Sequence, residues 1–177
     1  MGRRQPAVPP PRVVRHVARL GVVACLGLVA YGVLAPHGRA IGTFKYNVGD
    51  RVLRLTPFVD IHGLSGDAVT ALGDHTVNLV MLASFTFLAV FAWPAVPPWL
   101  WGVAATVLGA ASETLQWALP ELGRRPLVSN AVENAVGGWL GVGLALLVAR
   151  LARWRPAWRA HTATTRTTPS PHPRETP

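Results

Sequence analysis

The 177-residue chain has few charges and almost no cysteine. Only 14% of its residues are Asp, Glu, Lys or Arg while 50% are hydrophobic, against about 25% charged in soluble domains. From Leu79 to Leu119 the one charged residue is Glu113. The single cysteine, Cys25, lies inside an apolar run, which excludes a disulfide framework and a cysteine-based metal site. His62, Asp67, Asp74 and His75 crowd one segment, but no HExxH or comparable ligand spacing accompanies them, so no metal is expected. A GxSxG nucleophile turn and a GxxxxGKS phosphate loop are also missing, and no cofactor is expected.

What the chain does have is arginine, and its placement matters more than its number. The formal net charge is +9, a value that raises nucleic acid as a partner. Five arginines fall in residues 1–19 and six in 150–174, flanking apolar segments with no nucleic-acid motif between them, so a nucleic-acid role is set aside. The partner these flanks fit is the lipid bilayer.

A helix needs about 20 apolar residues to cross a hydrocarbon core of ~30 Å. Four segments come close: 17–35, 76–93, 99–119 and 131–154. Pro36, Pro94, Pro97, Pro98 and Pro120 punctuate their ends, where a helix stops without losing an internal hydrogen bond. The expected fold is therefore all-α, an integral membrane bundle of four transmembrane helices spanning 17–154. A basic, Pro-rich tail (1–16) precedes it and a Thr/Pro/Arg-rich tail (155–177) follows, both expected to be disordered. A cleavable signal peptide is the alternative for the first span. With four crossings the two arginine-rich termini share one side, and the positive-inside rule makes that side cytoplasmic in a multi-pass cell-membrane protein. Residues 36–75 then form an outer loop. Tryptophans at 93, 99, 101, 117 and 154 read as interfacial anchors.

This topology gathers the scattered polar residues at one depth. Asp74, His75 and Asn78 open the second span, with Asp74 a good N-cap for a helix over 76–93. Glu113 and Gln116 close the third, and Asn130, Glu133 and Asn134 open the fourth. Gly109, Ser112, Glu113 and Gln116 share one helical stripe; Asn130, Asn134, Gly137 and Gly141 share another. Glycine on each stripe allows close helix approach, so the third and fourth spans are expected to pack along them. Glu113 is expected to point into that join, near Asn134 and within reach of Arg124. Ionisable groups at membrane depth carry function by default, although a buried carboxylate can equally serve only to fix helix register.

These residues resemble a known family. "RLTPFVDI" (54–61), "NLVMLASFTFL" (78–88), "SETLQWALP" (112–120) and "GRRPLVSNAVENAVGGWLG" (123–141) are similar to the VanZ-like membrane proteins. The resemblance rests on Pro57 and Phe58, Asn78, Glu113 and Gln116, Arg124, and Asn134 with Gly137. It covers about half the chain. Two departures stand out: Asn130 occupies the position of the family's usual Asp, with Glu133 a substitute carboxylate at a different helical angle, and the family's Pro-Leu-Gly is replaced around "ASF" (83–85). A function resting on that Asp would be altered here.

The resemblance implies a small bacterial cell-envelope protein, associated in the founding member with resistance to teicoplanin, which binds wall precursors outside the membrane. It implies no agreed reaction. A polar cluster of Asp74, His75, Asn78, Glu113, Gln116, Arg124, Asn130 and Asn134 facing outward would meet a lipid-linked wall precursor or a glycopeptide there. The competing readings are a membrane enzyme acting on a lipid-linked envelope substrate, with Glu113 as general acid or base and His75 assisting, and a transporter component.

Overall fold

The computed structural model describes residues 9–34, 38–56, 64–119, 121 and 127–154. Five α-helices account for nearly all of them: α1 (Arg12–Leu34), α2 (Gly38–Arg54), α3 (Gly66–Ala92), α4 (Pro98–Ala118) and α5 (Val128–Leu151). The apolar runs predict four helices and leave 36–75 as a loop. Helix α2 was missed because its GRAIGTFKYNVGDRVLR is amphipathic with a low mean hydropathy, so it fails a test built on apolar runs. The basic tail assigned to 1–16 is shorter than expected, because α1 already begins at Arg12.

Helix α3 also begins earlier than expected. Ser65, not Asp74, is its N-cap: the Ala68 N–H donates to Ser65 Oγ at 3.2 Å, and Asp67 sits in the positive first turn. At ~1.5 Å per residue its 27 residues run about 40 Å, longer than a bilayer core. The second half of α3 matches the expected span. Its first half pairs antiparallel with α2, and a Cβ on Gly49 would collide with the Val69 carbonyl, one on Gly73 with the Lys45 carbonyl. Only two glycines let these backbones approach so closely.

Helix α3 is the hub of the bundle, contacting every other helix. It runs parallel to α5, with His75, Leu79 and Ala83 level with Glu133, Gly137 and Gly141. Added Cβ atoms at Gly137 and Gly141 would strike the Leu79 and Ala83 carbonyls. The buried Thr86 hydroxyl donates to the Gly138 carbonyl at 2.8 Å, tying the two backbones together. Gly137 and Gly141 therefore seat α5 on α3, whereas their shared stripe with Asn134 was expected to seat it on the preceding helix. That preceding helix, α4, packs antiparallel on α5 through Gly109 against Asn134, Ala105 against Gly138, and Gly102 against Trp139. Helix α1 lies antiparallel to α3, and Arg19 donates to the Ala92 carbonyl at 3.3 Å and rests over Trp93, 5.8 Å from the ring centroid. The tryptophans divide: Trp93 and Trp101 stack together beside the core and Trp154 meets Phe91 edge-on, while Trp99 and Trp117 are exposed as anchors would be.

The bundle is inside out by soluble standards. On α5 the small residues Gly137, Gly138, Gly141, Ala145 and Ala149 are buried, while Leu140, Leu144, Leu147 and Leu151 are exposed. Small residues inside and leucines outside is the arrangement of helices that pack in lipid. Three helices, α1, α3 and α5, are long and apolar enough to cross a membrane. Four were expected. Helix α4 has the length, 21 residues, but its Pro98, Glu113 and Gln116 dilute its apolar character.

Gly141 and Gly143 make a matched test. Gly143 faces open space, so Gly143→Ala should keep or slightly raise the thermal midpoint in detergent. Gly141→Ala should lower stability by about 1–3 kcal/mol through overpacking. Equal midpoints for the two variants would contradict the α3–α5 contact.

Candidate functional site

One end of the bundle opens into a groove of about 790 Å³. One wall is apolar and comes from α1 and α2, with Leu28, Val29, Val33, Ile41 and Phe44. The facing wall, from α3, α4 and α5, carries Asn78, Ser112, Glu113, Gln116, Asn130 and Asn134. Lys45 and Asp74 form an ion pair where α2 crosses α3, both half-buried.

Of the eight residues expected to cluster, Asp74, Asn78, Glu113, Gln116, Asn130 and Asn134 line the groove. His75 does not. It turns to α5, where Glu133 accepts a 2.6 Å hydrogen bond from its Nδ1–H, and the second carboxylate oxygen accepts from Asn78 Nδ2 at 3.2 Å. Glu133 is thus the bracket between α3 and α5 beside the groove. A matching signal existed: His75 and Asn78, three residues apart on one helix face, lay at the depth expected for Glu133. Arg124, Pro57 and Phe58 lie outside the described residues. Lys45 was missed altogether, because α2 is amphipathic and too polar on average to be found as an apolar run.

Glu113 answers to the backbone. Its Oε2 accepts the Leu127 N–H at 2.8 Å, and Leu127 is the N-cap residue of α5. The carboxylate therefore satisfies an amide at the start of α5 and places negative charge at that helix's positive end, a favourable pairing. Its expected neighbour Asn134 lies one turn further in, with Cβ 2.7 Å from where a Cβ on Gly109 would stand. Asn134 is 7% exposed, and its Oδ1 finds no hydrogen-bond partner among the described residues.

On α2, Arg54 Nε donates to Asp50 at 2.8 Å and holds that carboxyl below its ordinary range. A depressed carboxyl contributes above its ordinary pKa and loses that contribution as pH falls through the depressed value, a small effect for so exposed a pair. Among the described residues no three His, Cys, Asp or Glu side chains are grouped to hold a metal.

No family model, curated protein or solved structure matches the chain. The functional reading consequently rests on geometry and on the sequence resemblance.

The Glu113 contact is open to a direct test. Glu113→Ala strips the Leu127 amide of its acceptor and should cost about 1 kcal/mol, seen as faster hydrogen exchange in the first turn of α5. Glu113→Gln keeps a side-chain oxygen there and should exchange like wild type. Unchanged exchange in Glu113→Ala would remove the capping role.

Proposed function

We propose that the chain is a VanZ-like cell-envelope membrane protein whose groove opens at the outer membrane face and binds an amphiphilic envelope molecule, a lipid-linked wall precursor or a glycopeptide. In this reading α4 is the fourth crossing. Its 21 residues span about 30 Å at a rise of ~1.5 Å, and its Glu113 and Gln116 face the groove instead of lipid. The shorter, charged α2 does not cross. Helices α1, α3, α4 and α5 then alternate in direction, and both arginine-rich termini lie in the cytoplasm, as the positive-inside rule favours.

The observation that carries this reading is the uneven lining: α1 and α2 contribute mostly apolar side chains, while the amides and Glu113 come from α3, α4 and α5, interspersed with Val80, Met81 and Leu108. An amphiphile matches that division, and the groove volume lies within the range of small-molecule sites. Acid–base catalysis by Glu113 and His75 has less support, since Glu113 accepts an amide hydrogen bond and His75 is turned to Glu133 outside the groove.

The test is inhibitory concentration in a glycopeptide-sensitive Gram-positive host with membrane levels matched. Wild type should raise the teicoplanin value several-fold, more than that of vancomycin. Arg124→Ala should lose protection, while Glu113→Gln, which keeps a side-chain acceptor and cannot transfer a proton, should keep part of it. The reverse ranking of the two variants contradicts binding without catalysis, and no protection by well-expressed wild type contradicts the envelope role.

A further inference from the structure

We infer that the groove selects a membrane lipid whose headgroup carries a primary ammonium, gripped by the Asn134 carbonyl oxygen and the Glu113 carboxylate. The inference deepens the amphiphile reading of this groove and rests on it.

The first observation is the state of Asn134. Its side chain is more than nine-tenths buried on the groove wall, yet its Oδ1 has no hydrogen-bond partner among the described residues. A buried acceptor without a donor costs free energy, and cheaper apolar side chains of similar size exist. An acceptor kept there is complementary to a ligand that brings a donor. The second observation is the charge balance. Three of the described groove-lining side chains are ionisable, Lys45, Asp74 and Glu113, and Lys45 with Asp74 form an ion pair. That leaves the Glu113 carboxylate without a cation among the described groove residues. It accepts the Leu127 N–H through one oxygen, Oε2. An acceptor and a carboxylate on successive turns of the α4–α5 join favour a cation with N–H bonds over an anion.

The third observation fixes the source of the ligand. The apolar wall includes α1, which is long and apolar enough to cross a membrane and whose Leu20 and Val23, outside the groove lining, are exposed. A groove walled by such a helix is continuous with lipid, so acyl chains lie along Val29, Val33 and Met81 while the headgroup meets Asn134. A phosphatidylethanolamine supplies this chemistry. Phosphatidylcholine has the same phosphate and acyl chains, but its quaternary nitrogen offers no N–H donor.

The experiment is native mass spectrometry of the full chain in detergent, titrated with dioleoyl phosphatidylethanolamine or dioleoyl phosphatidylcholine. Wild type should prefer the ethanolamine lipid by about tenfold, the worth of one good hydrogen bond to a charged group. Asn134→Leu should lose most of that preference, and Asn134→Asp, which keeps the acceptor and adds charge, should retain or raise it. Equal affinity of wild type for the two lipids overturns the inference, as does an undiminished preference in Asn134→Leu. If Asn134→Leu does not fold, Glu113→Gln decides, because it keeps the Leu127 hydrogen bond while losing the charge. A weakened preference supports the assignment and an unaltered one overturns it. A clear lipid preference without any antibiotic protection would remove the envelope role and leave the headgroup assignment standing.

Discussion

The bundle depends on backbone-to-backbone contact between α3 and α5. Where Gly137 and Gly141 lie on the Leu79 and Ala83 carbonyls there is no room for a β-carbon, and the Thr86 hydroxyl closes the contact by reaching the Gly138 carbonyl. In lipid the hydrophobic effect does not drive helices together, so close van der Waals packing and interhelical hydrogen bonds must do so. Everything else takes its position from this pair. Helix α4 fits the other face of α5, α1 lies along the second half of α3, and α2 crosses its first half through Gly49 and Gly73. The groove is the space left between the two sets.

Polarity is arranged around that space with a clear division of labour. Glu133 uses both carboxylate oxygens to join His75 and Asn78 on α3, fixing the register of the parallel pair. Lys45 and Asp74 fasten α2 across α3. Glu113 fastens the start of α5 to the end of α4 through the Leu127 amide. Each of these contacts ties one element to another, whereas the buried Asn134 Oδ1 has no hydrogen-bond partner among the described residues. This resolves the puzzle posed by a carboxylate within so apolar a stretch: Glu113 faces protein and groove, not lipid.

Much of this was legible in the sequence, and the failures have physical causes. Three spans were placed to within a few residues at most ends because long apolar runs bounded by proline admit few alternatives, and six groove residues were grouped from depth alone. Helix α2 and the first half of α3 were hidden because hydropathy detects contact with lipid, whereas these segments pack on each other outside the most apolar region. The partner of Gly137 and Gly141 was misassigned because a stripe on one helix names a face and not the neighbour that covers it. Glu133 was undervalued for a related reason: one residue before Asn134, it points to α3 while Asn134 points to α4. Chain periodicity gives angles, and only the assembled bundle converts them into pairs.

The proposed topology puts α2 and the groove beside it on the outer side of a bundle that crosses the membrane four times. Asn47, exposed on α2, reports on this most directly once the sole cysteine is removed. In a Cys25→Ser, Asn47→Cys chain, a membrane-impermeant maleimide added to intact cells should label Asn47→Cys fully, with no gain on permeabilisation. Labelling that appears only after the membrane is opened would put α2 and the groove in the cytoplasm and contradict the account.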